Sequence, residues 1–184
     1  KEDVLEPVVE ISGDSERLDL EVLTHYFESL PRDSSILLLG RFQIDRLRLL
    51  HCTQFKLTKD AIEFQTRPDL KIRFLTVHQS KGLEADYVII LNNREAKLGF
   101  PAHVKDTPLK TELVKIAEEL GLDQASVNEE RRLFYVALTR AKKQVILLAV
   151  DGKESSFIKE LRRKFRQDFT TYYLSHFEKY LNLE

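Results

Sequence analysis

The fold of this chain is constrained most by a set of short, continuous apolar runs. The segments between these runs have apolar residues at helical spacing. Ile36–Leu39 and Tyr87–Leu91 lack the alternation of a half-exposed strand and are too short for buried helices, so they predict strands covered on both faces. Leu20, Leu23 and Phe27 repeat at three- and four-residue spacing, which predicts a helix between strands. This alternation predicts an α/β domain with a mainly parallel sheet and helices on both faces.

The remaining elements follow from the same patterns. Further strands are predicted at Val8–Ile11, Gln54–Thr58, Ala61–Gln65, Ile72–Val77 and Val145–Val150. One further helix is predicted over residues 42–51, and another is capped by Asn128 and carries Arg140, Lys142 and Lys143 in its last turn. A final helix is predicted through Phe157 and Leu161, and its spacing continues through Phe169, Tyr173, Phe177 and Tyr180.

The length and composition predict one globular domain over residues 1–184, because 42% of the 184 residues are hydrophobic and 32% are charged. Residues 93–127 contain Gly99, Pro101 and Pro108, which predicts a surface insertion. Residues 151–184 are expected to form a C-terminal helical extension. The chain opens on Lys1 and contains no methionine, which indicates a piece of a longer polypeptide.

Charge and composition exclude several classes of protein. The net charge of -1 argues against a surface that coats nucleic acid throughout, although residues 131–166 hold eleven bases and three acids. The single cysteine, Cys52, excludes an internal disulfide framework, and no spacing of histidines or cysteines predicts a metal site. No apolar run approaches the roughly 20 residues that cross a bilayer, so we expect no membrane contact and a cytoplasmic protein.

A polar segment between two predicted strands is the first candidate site, with the sequence Thr76-Val-His-Gln-Ser-Lys-Gly-Leu-Glu84. Thr76, His78 and Ser80 offer short hydrogen-bond donors to phosphate oxygens, and Gly82 permits close backbone approach. Such contacts hold a strand of nucleic acid without reading its bases. By itself, a segment of this kind is usually a solvated loop.

The second candidate site is the helical segment Glu129-Glu-Arg-Arg-Leu-Phe-Tyr-Val-Ala-Leu-Thr-Arg-Ala141. Arg132, Val136 and Arg140 lie at four-residue spacing, which places them on one helical face. The alternative is that Arg131, Arg132 and Arg140 are solvated charges paired with the neighbouring glutamates, and we expect this for Arg131 only.

Together the two segments resemble motifs V and VI of the UvrD-like superfamily 1 helicases, in residues, order and separation. The string from Lys81 through Leu91, followed by Gly99-Phe100-Pro101, is most similar to the helicase IV branch. The resemblance covers roughly residues 35–150 and implies the second RecA-like motor domain of an ATP-dependent helicase that moves 3′ to 5′ along single-stranded DNA. The first RecA-like domain, on the N-terminal side, would be its partner within the same polypeptide.

The resemblance also implies roles for individual residues. Arg140 would be an arginine finger that reaches the γ-phosphate of ATP, while Gly82 and Glu84 would face the same nucleotide. Arg41 resembles an arginine near the nucleotide or the domain cleft in the family, although a structural ion pair is an equal alternative. Thr76, His78 and Ser80 would contact single-stranded DNA, and no residue of this chain would bind metal.

A complete ATPase needs a phosphate-binding loop of the form G-x-x-x-x-G-K-[ST] and acidic ligands for Mg²⁺, and the sequence contains neither. ATP and Mg²⁺ would therefore be bound jointly with the N-terminal motor domain, and we expect the isolated chain to be inactive.

Two other functions stay open at this point. One is a helicase-like ATPase that binds and remodels RNA polymerase complexes instead of unwinding DNA. The other is a binding module whose helicase motifs have lost their purpose. Two surface features could also contact DNA. The basic run Arg162, Arg163, Lys164 and Arg166 is better explained as the exposed face of a helix. The C-terminal aromatic residues are better explained by packing against this domain or a neighbouring one.

Overall fold

The computed structural model describes residues 7–13, 18–58, 62–102 and 124–173. The strands are β1 (Val8–Gly13), β2 (Ser35–Gly40), β3 (Phe55–Leu57), β4 (Ile62–Phe64), β5 (Lys71–Thr76), β6 (Ala85–Ile90), β7 (Ala141–Val150) and β8 (Phe169–Tyr173). The helices are α1 (Leu18–Ser29), the 3₁₀ helix η1 (Gln43–His51), α2 (Gln124–Leu138) and α3 (Ser156–Lys164). Within these ranges no helix combines the length and the apolar character that a membrane span requires.

The strands form one sheet in the order β3-β4-β5-β2-β6-β7-β1-β8. Six strands, from β5 to β8 in this order, run parallel to one another, and the β3–β4 hairpin adds antiparallel strands beside β5. We call the side where the parallel strands begin the amino edge, and the side where they end the carboxyl edge. The predicted mainly parallel α/β sheet is confirmed.

Helices cover both faces of the sheet, as the apolar runs predict. On one face, Leu23 and Phe27 of α1 pack with alternate strand residues such as Leu38 and Ile89. On the other face, α2 and α3 pack on the intervening strand residues through Leu133, Phe134, Ala137, Phe157 and Ile158. Because both faces are buried, the central strands contain apolar residues at consecutive positions.

The predicted helical continuation after α3 is wrong where the structure describes it. Residues 169–173 form β8, which pairs in parallel with β1, and Phe169 is buried in the core. Threonine and tyrosine favour strands, and the free edge of β1 offers backbone partners that spacing along the sequence does not reveal. Phe177 and Tyr180 lie outside the described residues.

The boundaries of α2 also differ from the prediction. The helix begins at Gln124, so Asn128 lies inside it and is not its cap. It ends at Leu138, so Arg140 belongs to a turn, and Lys142 and Lys143 belong to β7. The helical charge pattern therefore runs past the true end of the helix.

The proposed insertion at 93–127 begins within the core and not on the surface. Asn93 and Phe100 are buried, and the ring of Phe100 packs edge-on against Phe134 with centroids 5.3 Å apart. Residues 103–123 lie outside the described residues, so the prediction that they form a surface insertion stays a prediction.

The start of β6 contains a carboxylate whose charged form the fold stabilises. The backbone N–H and hydroxyl of Ser35 donate to Asp86 at 3.0 and 2.7 Å, and Lys143 lies 3.2 Å away. These contacts, the backbone N–H first, lower the pKa of Asp86 from 3.8 to about 2.

We expect Asp86→Asn to lower the free energy of unfolding at neutral pH by about 1 kcal/mol. Because the pKa is lower in the folded state, this contribution is complete above the unfolded pKa of 3.8 and is lost as pH falls toward about 2. Urea unfolding at pH 7 and pH 3 should show the two proteins converging in acid. A constant difference at both pH values would contradict the prediction.

Candidate functional site

The first motif connects the two edges of the sheet. Strand β5 ends at Thr76 at the carboxyl edge, and β6 begins at Ala85 at the amino edge, because both strands run parallel to β2. Residues 77–84 therefore cross one face of the sheet, and we call them the crossover. Parallel strands are usually joined by a dozen or more residues that include a helix, so this connection is short and direct.

The crossover begins, at the carboxyl edge of the sheet, with a tight polar turn. The side-chain oxygen of Gln79 accepts hydrogen bonds from the Thr76 backbone N–H and hydroxyl at 3.0 and 3.1 Å, and from the Gln43 amide at 2.9 Å. His78 lies beside them and is exposed. Thr76 and His78, the first two predicted DNA contacts, are therefore together at the carboxyl edge, and Gln43 joins them from the neighbouring strand end.

Ser80 does not share the exposed position of His78. Its side chain is fully buried, and its hydroxyl donates to the Val77 carbonyl at 2.7 Å. A hydroxyl held in this way stabilises the turn and does not face a ligand. The placement of Ser80 corrects its predicted role as a phosphate contact, because this part of the turn points into the core.

Gly82 has a backbone φ of +79°, and a Cβ atom built there would meet nothing within 4 Å. The glycine is thus required by the left-handed backbone and not by crowding. The open space around it also leaves its backbone accessible to a ligand. Gly152 provides a close comparison, because it has a φ of +71°, equally open surroundings and a position outside both motifs.

We expect Gly82→Ala and Gly152→Ala to destabilise the protein by similar amounts, about 1–2 kcal/mol each, because both force an L-residue into the left-handed region. Only Gly82→Ala should also lower DNA-stimulated ATP hydrolysis by the intact protein. Thermal unfolding and ATPase assays of the two variants check this. Equal loss of ATPase activity in both would mean that Gly82 has only a conformational role.

Arg140 lies at the amino edge, where the two motifs meet. Its backbone carbonyl accepts from Ala85 N–H at 3.0 Å, and its guanidinium donates to the Leu83 carbonyl at 3.3 Å and the Val136 carbonyl at 3.0 Å. A further hydrogen bond reaches the Thr139 hydroxyl at 3.2 Å. All these acceptors are neutral, and within the described parts of the chain no carboxylate forms an ion pair with this arginine. Its positive charge is thus available to an anionic ligand.

Glu84 lies beside Arg140 at the end of the crossover. Its carboxylate is exposed and lies 3.8 Å from the Lys142 ammonium. An exposed pair at this distance contributes little to stability, so Glu84 is free to turn toward a ligand. The structure therefore brings together Gly82, Glu84 and Arg140, three of the four residues predicted to face ATP.

Arg41 is the fourth, and the structure separates it from the other three. It follows β2 at the carboxyl edge and forms a two-pronged ion pair with Glu130 of α2, with N–O distances of 2.9 and 2.6 Å. The side chains are only 17% and 11% exposed. The second oxygen of Glu130 also accepts from Ala102 N–H at 3.0 Å. Of the two roles considered for Arg41, the structural ion pair is the one observed.

The other arginines of the second motif have different neighbours. Arg131 was expected to pair with the neighbouring glutamates of its own helix, but it pairs with Glu160 of α3 at 3.0 Å. The exposed arginine beside Glu129 is Arg132, at a distance of 3.8 Å. Neither arginine contacts Glu130, because that carboxylate is directed to Arg41.

The basic run at the end of α3 is partly structural. Arg162 donates to both oxygens of Glu10, a residue of β1 that is fully buried. Burial raises the pKa of Glu10, and the hydrogen bonds and charge of Arg162 oppose this. Arg163, Lys164 and Arg166 remain exposed.

Sequence reasoning missed the residues that link the motifs to the rest of the fold. From the sequence, Glu130 was considered only as an ion-pair partner for the arginines of its own helix. Its position inside the second motif was the signal that could have indicated a more specific role. Gln79 lies inside the first motif but was given no role, and Gln43 has no sequence pattern that marks it, because their contact depends on adjacent strand ends. Within the described ranges, no group of three or more potential metal ligands is present.

A mainly parallel sheet with helices on both faces defines a RecA-like α/β domain, and its two motifs meet beside Arg140. The C-terminal domain of a possible DNA helicase from Lactobacillus plantarum has a similar crystal structure, with a TM-score of 0.51 and 20% sequence identity. The similarity covers 90% of this chain and 84% of that one. At this identity the comparison supports the fold alone.

Residues 44–151 match the family of UvrD-like helicase C-terminal domains, and the chain belongs to this family. DNA helicase IV of Escherichia coli K12 is 36% identical over 151 residues, which are 81% of this chain and 19% of that protein. One component of the ATP-dependent helicase/nuclease of Streptococcus equi subsp. zooepidemicus is 34% identical, over 48% of this chain and 10% of its own length. The probable DNA helicase II homolog of Mycoplasma pneumoniae is also 34% identical, over 59% and 14%. The chain thus spans less than a fifth of each relative.

Proposed function

We propose that this chain is the C-terminal motor domain of an ATP-dependent DNA helicase that moves 3′ to 5′ along single-stranded DNA. It supplies an arginine finger to ATP held by the N-terminal motor domain, and it contacts the DNA strand at its opposite edge. The observation that carries this proposal is the crossover, whose polar turn lies at one edge of the sheet and whose other end contacts Arg140 at the opposite edge.

At the amino edge, Arg140 fits the role of a finger because its charge has only neutral partners. A guanidinium that is not neutralised in the ground state can stabilise the charge that develops on a transferred phosphoryl group. Glu84 would accept a hydrogen bond from a nucleotide hydroxyl in the same cleft, which its exposed carboxylate beside Arg140 allows. Mg²⁺, bound with ATP, would be held by the N-terminal domain and would neutralise phosphate charge there.

At the carboxyl edge, the exposed imidazole of His78 and the Thr76 hydroxyl would contact the DNA backbone. The Gln79 hydrogen bonds hold this turn rigidly, so a strand bound there would press on a fixed part of the crossover. Only a few residues separate this turn from Leu83, whose carbonyl accepts a hydrogen bond from the Arg140 guanidinium. A displacement of the turn would therefore move the groups around Arg140. This arrangement couples the position of the strand to the geometry of the ATP site.

The intact protein that contains this chain provides the test. We expect ATP hydrolysis that single-stranded DNA stimulates, and unwinding of duplexes with a 3′ tail but not of those with a 5′ tail. His78→Ala should weaken DNA binding while leaving DNA-independent ATP hydrolysis unchanged. ATP hydrolysis without unwinding of either substrate would overturn the helicase proposal.

The RNA polymerase alternative is tested with the same preparations. RNA polymerase is incubated with the intact protein, and capture is measured with and without ATP. Robust ATPase activity together with polymerase capture and no unwinding would favour this alternative. We expect unwinding without capture.

A further inference from the structure

A buried carboxylate, Asp45 of η1, joins the loops that follow β2 and β6 and belongs to neither motif. The residue is only 2% exposed. One of its oxygens accepts from Phe42 N–H at 3.0 Å, and the other accepts from the side-chain amide of Asn92, just after β6, at 3.1 Å. Gly40 makes room for it at the end of β2, because a Cβ atom there would lie 2.7 Å from the Asp45 Cβ. The carboxylate therefore connects the ends of two adjacent strands.

Asn92 has a backbone conformation that this contact supports. It is 5% exposed and has a φ of +60°, in the left-handed region that few L-residues other than asparagine and aspartate adopt. Its amide also donates to the Leu98 carbonyl at 2.5 Å, and its backbone carbonyl accepts from Phe100 N–H at 3.0 Å. The side chain of Asn92 therefore ties the loop after β6 to Asp45.

The same loop leads to the ion pair of Arg41. Near its end, Ala102 N–H donates to Glu130, the carboxylate that binds the Arg41 guanidinium. Phe42, whose N–H donates to Asp45, directly follows Arg41 in the chain. Two carboxylates therefore hold Arg41, with Glu130 at its side chain and Asp45 at the adjoining backbone, and the loop after β6 links the two.

Gln43 connects this arrangement to the crossover. Its side-chain amide donates to Gln79 at 2.9 Å, and Gln79 in turn accepts from the backbone N–H and hydroxyl of Thr76. A shift of residues 41–43 would therefore move a partner of the turn that also carries His78. The position of Asp45 and the position of the crossover turn are linked through one short segment.

A cap for η1 would explain only part of these contacts. The hydrogen bond from Phe42 N–H to Asp45 is one half of a capping box, which an exposed carboxylate could form equally well. Burial raises the pKa of Asp45, and the hydrogen bonds from Phe42 and Asn92 and the charge of Arg48 oppose this. Burying a carboxylate is unfavourable, and its contact with Asn92 lies outside η1. The buried position therefore indicates a role between the two loops.

We propose that Asp45 and Asn92 are positioning residues, whose hydrogen bond holds residues 41–43 against the crossover turn and thereby sets how strongly DNA stimulates ATP hydrolysis. Neither residue touches DNA or ATP. The inference rests on the function proposed above and adds the part of the fold that supports the crossover turn at the carboxyl edge. Without the hydrogen bond, η1 and the crossover turn would move independently, and a bound strand would act less on Arg140.

The test uses the intact protein with Asp45→Asn, with Asn92→Asp and with the double exchange that combines them. Asp45→Asn removes one of two acceptor oxygens, and Asn92→Asp places two carboxylates against each other. Each should lower the ratio of DNA-stimulated to DNA-independent ATP hydrolysis about fivefold. The double exchange restores one donor and one acceptor between the two positions, so its ratio should return to within about twofold of the unmodified protein. Asn92→Gly keeps the left-handed backbone and removes the amide, so it should also lower the ratio.

Asp69→Asn is the matched control. This carboxylate also accepts hydrogen bonds, from Arg67 and from Asp33 N–H, but it lies outside the motifs and outside these loops, so the ratio should not change. Thermal unfolding shows whether each variant is folded, and Asn92→Gly decides the outcome if Asp45→Asn does not fold.

Three results would overturn the inference and leave the proposed function intact: an unchanged ratio in folded Asp45→Asn or Asn92→Gly, a double exchange that restores nothing, or an equal loss in Asp69→Asn. An unmodified protein whose ATP hydrolysis does not respond to DNA would instead reject the proposed function, and this inference with it.

Discussion

Replacing Arg140 with alanine is expected to lower DNA-stimulated ATP hydrolysis by the intact protein about a thousandfold, equivalent to about 4 kcal/mol of transition-state stabilisation. The guanidinium has neutral acceptors only, so its loss removes charge from the proposed ATP cleft without leaving a carboxylate unpaired. Its hydrogen bonds to the Val136 and Leu83 carbonyls contribute about 1.5 kcal/mol each, which is small beside the stability of a domain, so the fold should survive. Steady-state ATPase assays at saturating ATP and DNA measure the effect.

Arg132→Ala is the matched control for this experiment. Arg132 belongs to the same motif, but its side chain is 73% exposed and its nearest carboxylate is 3.8 Å away. We expect its ATPase rate to stay within about threefold of the unmodified protein. Near-normal hydrolysis by Arg140→Ala, in a protein that unfolds cooperatively, would reject the finger assignment.

The second large effect is expected from Glu130→Gln, which breaks the ion pair with Arg41. We expect a loss of about 2 kcal/mol in the free energy of unfolding, less than the roughly 3–5 kcal/mol of a fully buried pair because both side chains keep some exposure. The substitution leaves Arg41 without a charged partner at the carboxyl edge. Urea unfolding of the intact protein measures the change.

Glu130→Gln should also reduce the stimulation of ATP hydrolysis by DNA. Helix α2 carries Glu130 near the carboxyl edge, and it ends just before the turn that contains Arg140 at the amino edge. The ion pair with Arg41 therefore fixes the helix that links the two edges, in addition to the crossover. We expect DNA-independent hydrolysis to change less than the stimulated rate. If both rates fall by the same factor, the pair stabilises the fold but does not couple the edges.

Glu160→Gln provides the comparison for Glu130→Gln. Glu160 of α3 pairs with Arg131 of α2, the helix that contains Glu130, and with Lys164 of α3 itself. These pairs are more exposed than that of Glu130 with Arg41, and they do not join α2 to the sheet. Its loss should cost less than about 1 kcal/mol and leave the DNA stimulation unchanged. Equal effects of the two substitutions would contradict the specific role of Glu130.

The apolar runs by themselves determined the class of fold. Runs such as Ile36–Leu39 must be buried on both sides, and only a parallel sheet between two layers of helices does this. The residues that form the motifs were equally visible, because a run of specific residue types is a local feature, although Gly82 was expected to permit close approach and the structure shows a left-handed backbone instead. The family membership and the positions of Gly82, Glu84 and Arg140 followed from such local signals.

Only the tertiary structure decided which of these residues meet. Arg41 follows β2 and Arg140 directly precedes β7, so the two lie at opposite edges of the parallel sheet. The pairing of Arg41 with Glu130 depends instead on which strand and helix lie side by side, and no local pattern carries that information. The same reason explains β8, because Phe169–Tyr173 became a strand through the free edge of β1, whose position depends on the whole sheet. Ser80 turned inward because the crossover lies against the core. Local sequence specifies an element, whereas its partners depend on contacts between residues far apart in the chain.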